Sequence, residues 1–266
     1  MKLKQDEVVG GRWRLTSQCR NQGANGIVWF AEDTTAAGSG EYAIKFLKSE
    51  SFFGTPKHER FLAEMRFGRL HASNPGILPV IDSDEGSLEN PRSWFVMPRA
   101  VPLWERFPPR RSTTDRLFNL SCVCTHLLEV ARTLEQFHSQ MVWHRDIKPD
   151  NIFVWQDKTV LGDWGSADFP EKPSLTAVGD RRGAEGYRAP ELSAAAAVTD
   201  FGPADVWAFA KTLFVLGSGH SWPIEGSPAR WAGARLSTYR TMSRVRCFSI
   251  ICSNKRRKKT LRKGSR

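Results

Sequence analysis

The chain has 266 residues, 40% of them apolar and 16 of them Phe; that is enough to bury a core as one large domain or two lobes, and it excludes disorder throughout. The formal charge of +11 is uneven: all 28 acids lie at or before Glu225 and 13 of the 39 Lys and Arg lie after it, so residues 1–225 carry a net −2. The basic run, ending in "NKRRKKTLRKGSR", is a solvated extension or a contact for an anionic partner such as nucleic acid or lipid, and says little about the rest. Cys19, Cys122, Cys124, Cys247 and Cys252 are odd in number and contain no C-x-x-C pair, so they read as buried thiols in a reducing compartment. The start, "MKLKQDEVVGGRWRL", has no signal-peptide core, and no run approaches the roughly 18 apolar residues of a membrane span. A soluble, intracellular, cytoplasmic protein is expected.

In chain order, Arg12–Leu15, Ile27–Ala31 and Glu41–Leu47 predict short strands, rich in β-branched and aromatic residues and separated by the turns "NQGANG" and "TTAAGSG". His58–His71 has helical spacing of Phe61, Met65 and Leu70, and "SWFVM", Ser93–Met97, predicts another strand. Thr113–Met141 is a long amphipathic stretch in which Leu117, Leu120, Leu127, Leu128, Val130, Leu134 and Phe137 recur at helical intervals. A strand-rich part followed by a helix-rich part predicts two lobes meeting near Pro98, an α+β arrangement.

The stretch "VWHRDIKPDNIFVW", Val142–Trp155, sets His, Arg, two Asp, Lys and Asn between apolar flanks. Buried charges are costly unless they neutralise one another or await a charged ligand. Asp146 and Asn151 lie five residues apart around Lys148, and Asp163 follows in "LGDWGSADF". Two oxygen ligands, a lysine and a further carboxylate suit a magnesium-bound phosphate, since Mg²⁺ takes one or two carboxylates, phosphate oxygens and waters. Each residue alone also fits a plain role: Asp146 could cap a turn and Asp163 could be a loop acid.

Taken together, these motifs resemble the eukaryotic-type protein kinase family, over roughly residues 12–225, on its Ser/Thr branch. "HRDIKPDN" resembles the catalytic loop, which implies Asp146 as the base, Lys148 offsetting charge on the γ-phosphate, and Asn151 as a magnesium ligand. "DWG" resembles D-F-G and implies Asp163 as the principal metal ligand; "YAIKFLK" resembles V-A-I-K and implies Lys45 on the α- and β-phosphates. "YRAPE" matches A-P-E, and "DVWAFA" resembles the helix start whose Asp205 bonds the catalytic-loop backbone. The resemblance implies a two-lobed kinase-like fold with a small β-rich lobe (1–97), a larger helical lobe (98–225) and a basic tail (226–266). It also implies ATP and Mg²⁺ as cofactors and a protein Ser/Thr hydroxyl as substrate.

"NQGANGIVWFA" aligns on G-x-G-x-x-G-x-V with Gly23, Gly26 and Val28 in place and Asn21 at the first glycine position, where Asn tolerates left-handed backbone. With Ala43, Lys45, Met97 and Ala100 these form the expected nucleotide contacts, Met97 standing behind the adenine and Pro98–Ala100 forming the hinge. Glu64 is the candidate partner of Lys45, with Glu59 as its rival. Several departures stand against full activity. Ala184 replaces the usual Thr before A-P-E, Trp164 replaces the D-F-G phenylalanine, and no amphipathic pattern from "SPARWAGARLSTYR" (Ser227) onward supplies further helices or a partner for Glu191. Asp180 stands where a phosphorylated Thr is common, to pair with Arg145 or merely with Arg181 or Arg182. The alternative function is an ATP-binding pseudokinase or a truncated kinase-like interaction module.

Overall fold

The computed structural model describes residues 3–19, 26–35, 40–107, 120–169, 184–193 and 199–223. Strands β1 (Val8–Val9), β2 (Trp13–Gln18), β3 (Gly26–Asp33), β4 (Glu41–Leu47), β5 (Asp82–Asp84) and β6 (Trp94–Pro98) form one antiparallel sheet in the order β1-β2-β3-β4-β6-β5. Its register sets Val28 opposite Lys45, Lys45 opposite Phe95, and Ala43 opposite Met97. Because successive strand side chains alternate between faces, Gly26, Val28 and Phe30 share one face of β3. Trp29 and Ala31, with Ile44 and Phe46 of β4, pack into the core around Trp13 and Leu15.

Helix α1 (Pro56–Leu70) joins β4 to β5 and buries His58, Phe61, Leu62 and Met65, the i, i+3, i+4, i+7 stripe of a packed helix. The expectation for Leu70 is overturned: its side chain is exposed, because the stripe continues through Gly68. There an added Cβ would come within 2.6 Å of Val80, so the helix end sits against the chain with no room for a side chain.

After β6 the chain passes through β7 (Val101–Pro102) and α2 (Leu103–Arg106) to α3 (Leu120–His138), then β8 (Ile152–Trp155), β9 (Lys158–Leu161) and α4 (Gly202–Ser218). Strands β7, β8 and β9 make a small antiparallel sheet. The β8–β9 hairpin turns on Gln156 and Asp157, both with positive φ, as a two-residue loop of primed type requires. Neither residue is Gly or Asn, so the turn carries little sequence signal. Val123, Leu127, Val130, Leu134 and Phe137 of α3 pack against Ile147, Ile152, Leu161, Phe209 and Leu216 as the second core. Leu128, expected on that face, is partly exposed, since it falls off the stripe that Leu127 and Val130 define. Leu117 lies outside the described residues.

The two parts are tied behind the cleft. Leu78 N–H donates to the Leu161 carbonyl at 2.9 Å and Leu161 N–H to the Gly76 carbonyl at 2.8 Å. Gly76 packs so closely on α3 that an added Cβ would overlap Thr133 Oγ1. This connection joins the segment that follows α1 to β9 and α3 of the second core. No helix among the described residues is long and apolar enough to cross a membrane.

Candidate active site

A cavity of about 640 Å³ opens between the two parts, with Val28, Phe30, Ala43 and Lys45 in its roof, Met97–Val101 along its back and Phe153 in its floor. Gly26 belongs to the roof for a steric reason: an added Cβ would lie 2.8 Å from Lys45 Cε, so any side chain there would push the lysine out of place. Phe30 and Phe153 are absent from the expected contacts. Alternation along β3 from Gly26 and Val28 could have placed Phe30; in β8 Phe153 alternates with the buried Ile152 and Val154. Asn21 and Gly23 lie outside the described residues, as do Asp180, Ser174 and Thr176, the last two being the hydroxyls whose phosphorylation is the alternative to a fixed carboxylate at 180, and everything after Pro223.

The segment that carries Asp146 is held from below by α4. Asp205, 1% exposed, accepts the backbone N–H of Arg145 at 2.7 Å on Oδ1, and the N–H of His144 at 2.8 Å and His138 Nε2 at 2.9 Å on Oδ2. Arg145 adopts φ 67°, which is costly for a residue with a Cβ. The Asp205 bond holds that peptide, and its guanidinium lies 3.9 Å over the Phe201 ring. His144, fully buried, faces the Gly162 carbonyl with Nε2 at 3.0 Å and receives the Asp146 N–H on Nδ1 at 3.3 Å. A carbonyl can only accept, so Nε2 carries the proton.

Held in this way, Asp146 turns both carboxylate oxygens to donors. Oδ2 accepts Lys148 Nζ at 2.7 Å and Asn151 Nδ2 at 3.0 Å, while Oδ1 accepts the backbone N–H of Ala184 at 3.0 Å. Asn151 also donates Nδ2 to the Asp146 carbonyl at 2.7 Å, which leaves its amide oxygen as the atom it can offer a cation. The loss of a threonine hydroxyl at position 184 therefore leaves one main-chain bond to Asp146 in place.

Across the cleft, Lys45 Nζ lies 2.7 and 2.6 Å from the two Glu64 oxygens and 3.9 Å from Asp163 Oδ1. Glu64, not Glu59, is the acid that α1 brings to the lysine. Burial disfavours the ammonium, but the carboxylates of Asp163 and Glu64 outweigh it and hold Lys45 above its ordinary pKa. Burial is also the largest influence on Glu64; Lys45 opposes it, Asp163 adds to it, and the carboxyl is pushed up to about 7. For Asp163 burial acts upward, but Lys45 and Lys148 prevail and the group lies below the usual carboxylate range. One carboxyl of the cluster is thus poised to take a proton while another stays ionised near the cations.

Asp163 itself is left-handed, φ 54° and ψ 58°, and the chain then turns so that Trp164 enters the core, 2% exposed. The indole stacks on Phe67 of α1 at 4.3 Å and 14°, and touches His144 at 4.5 Å and Phe137 at 5.0 Å. The packing expected of a D-F-G phenylalanine is thus carried by a larger ring. It links α1, the Asp146 segment and α3 through one side chain. At Gly165 an added Cβ would lie 3.0 Å from the Arg60 carbonyl, so helix and turn meet backbone to backbone.

The sequence profile of the protein kinase domain matches residues 22–240. The serine/threonine-protein kinase PknA of Mycobacterium tuberculosis is 32% identical over 188 residues, 69% of this chain and 42% of that protein. PknD of Chlamydia muridarum, also a serine/threonine-protein kinase, is 27% identical over 62% of this chain and 18% of its own length. DCLK1 of Rattus norvegicus, likewise a serine/threonine-protein kinase, is 27% identical over 70% of this chain and 41% of its own. The chain thus spans less than half the length of these relatives. A crystal structure of a kinase domain superposes with a TM-score of 0.64 at 16% identity, covering 85% of this chain and 70% of that one; this likeness concerns the fold. A β-rich small lobe, a helical large lobe and a profile match over most of the sequence together place the chain in the protein kinase family, on its serine/threonine branch.

Proposed function

We propose that the chain is an active serine/threonine protein kinase, transferring the γ-phosphate of ATP to a protein hydroxyl with Mg²⁺. The observation that carries this reading is the convergence on one cleft of two ion pairs, Lys45–Glu64 and Lys148–Asp146, with Asp163 between them. Phosphoryl transfer depends on positioning and on neutralising charge, and little covalent chemistry falls to the protein. The donor set fits the cation: one carboxylate, Asp163, and one amide oxygen, Asn151, leave the remaining positions to phosphate and water, as Mg²⁺ prefers. When bound, Mg·ATP supplies the transferable phosphoryl group and the counter-charge for its oxygens.

Each residue has a role that its surroundings support. Lys45, kept charged by Asp163 and Glu64, holds the α- and β-phosphates, and Glu64 orients it. Val28, Ala43, Met97 and Ala100 line the cavity as the adenine and ribose contacts, with Asn21, Gly23 and Gly26 as the covering loop. Asp146 orients the substrate hydroxyl and takes its proton. Lys148, 2.7 Å away, offsets the charge that grows on the transferred group. The lobes run over 1–97 and 98–225, with a basic tail over 226–266. A cytoplasmic place and an anionic partner for that tail rest on composition alone. The pseudokinase reading draws on Ala184, which brings no hydroxyl to Asp146 and Lys148.

The test is transfer of radiolabel from ATP to a Ser/Thr-containing protein by the purified chain. Transfer that needs Mg²⁺ and disappears in Asp146→Asn supports the kinase; nucleotide binding without transfer supports the pseudokinase.

A further inference from the structure

Helix α1 brings Glu64 to Lys45, and its N-terminal end is anchored in an unusual way. Thr55 occupies the N-cap without capping the helix; its hydroxyl turns back to the Phe52 carbonyl at 2.5 Å. Pro56 has no N–H to satisfy. Instead His58, at the third helical position, reaches backwards, and its Nδ1 accepts the Gly54 N–H at 3.0 Å. The reach is like that of an N3 glutamate in a capping box, but it meets the N–H of Gly54, one residue before the N-cap, and not that of Thr55 itself.

The other ring nitrogen leaves the helix. His58 Nε2 lies 2.9 Å from Ser93 Oγ and 3.3 Å from the Glu85 carbonyl. Ser93 Oγ already donates to that carbonyl at 2.6 Å, so its lone pairs face the imidazole and Nε2 must donate. Every donor and acceptor is matched only if His58 is neutral with its proton on Nε2. His58 and Ser93 are both buried, Phe53 lies against the imidazole at 4.3 Å, and Gly86, at φ 75°, would put a Cβ 3.1 Å from Ser93 Oγ. The ring is therefore clasped on both nitrogens and one face.

Further along α1 the ties are of another kind. Arg66 makes two bonds to Glu85, at 2.8 and 2.6 Å, and Arg69 one to Ser83 at 2.9 Å, all at exposed positions. Exposed pairs hold weakly. Glu64 lies six residues past His58, about 9 Å along the helix, between the buried clasp and these exposed pairs.

We propose that His58 is a positioning residue: bonded as a neutral imidazole to Gly54 and Ser93, it fixes the first turns of α1 against the Asp84–Trp94 connection and so keeps Glu64 on Lys45. Its consequence for turnover rests on the kinase reading above; its consequence for α1 does not.

The test compares the wild-type chain with His58→Phe, which keeps the ring packing and loses both bonds, and with His58→Asn, whose Oδ1 can still accept the Gly54 N–H. Hydrogen exchange over residues 56–64, urea unfolding, and kcat and KM for Mg·ATP are measured on each. In His58→Phe, exchange over 56–64 speeds up selectively and kcat falls by about tenfold with a smaller change in KM; His58→Asn recovers part of both. Unchanged exchange over 56–64 and kcat within about twofold of wild type would overturn the proposal. So would exchange that rises equally over the whole chain, since that reports a residue of general stability. If the wild-type chain transfers no phosphate, the kinase reading falls, and the exchange pattern of the two variants still decides the role of His58.

Discussion

Replacing Asp205 with Asn tests how the Asp146 segment is suspended. The carboxylate receives three donors: Arg145 N–H on Oδ1, and His144 N–H with His138 Nε2 on Oδ2. The best placement of an Asn leaves its oxygen at the doubly used Oδ2 site and turns its NH₂ toward the Arg145 N–H. Donor then faces donor, and a buried N–H left without an acceptor costs about 1–3 kcal/mol. The two bonds that survive change from a charged to a neutral acceptor, a loss of about 1 kcal/mol each. The expected destabilisation is about 3–5 kcal/mol, large against the roughly 5–15 kcal/mol of a typical domain. Arg145, at φ 67°, then has less reason to keep its left-handed backbone, so Asp146 also shifts and phosphate transfer drops. Urea unfolding of the variant reads the first effect and radiolabel transfer the second. A loss of stability below about 1 kcal/mol would refute the reasoning, because it would mean that Asp205 is not the acceptor for all three donors.

Lys45→Met should abolish transfer yet leave the melting temperature within about 3 °C, because Glu64, already raised to about 7, can take a proton when its counter-ion is removed; a collapse of the fold would count against this. The same raised carboxyl gives transfer a pH dependence. The ionised fraction of Glu64, and so the Lys45 pair, grows as pH rises through about 7, and kcat should increase across that window. The sign is opposite for stability: a carboxyl whose folded pKa lies above its unfolded value stabilises in full below the ordinary carboxyl range, and that contribution is lost as pH rises through about 7. Unfolding curves and transfer rates between pH 5 and about pH 8 would show the two trends diverging. Trp164→Phe leaves a gap beside Phe67 and Phe137 and should cost about 1–2 kcal/mol in urea unfolding; equal or greater stability would show that the indole is strained in its site.

The polar residues of the cleft are legible where their spacing is local. Asp146, Lys148 and Asn151 fall within six residues, so the path of a short loop is enough to bring them together, and the bonds among them follow. Lys45 is legible through the resemblance of "YAIKFLK" to V-A-I-K, and period-two alternation in β4 explains why it lies on the face opposite Ile44 and Phe46. The choice between Glu64 and Glu59 is different: both lie on α1, and only the rotation of the helix against the sheet, set by burying Phe61, Leu62 and Met65, turns Glu64 to the lysine. Leu70 and Leu128 were expected inside for the same reason that they are hydrophobic, and lie outward because helical spacing gives a stripe without saying which of its borderline members the neighbouring element covers.

The sequence by itself therefore determined the family, the strand-then-helix order and the Asp146–Lys148–Asn151 cluster of the cleft, since these rest on motifs, periodicity and spacing that are local in the chain. Tertiary structure decided the rest. The stack of Trp164 on Phe67, the three donors gathered by Asp205 and the clasp of His58 between Gly54 and Ser93 join distant segments through hydrogen bonds and ring contacts. Such contacts act over a few ångströms only, so they come into being when the packed cores of the two lobes have fixed which distant segments lie side by side.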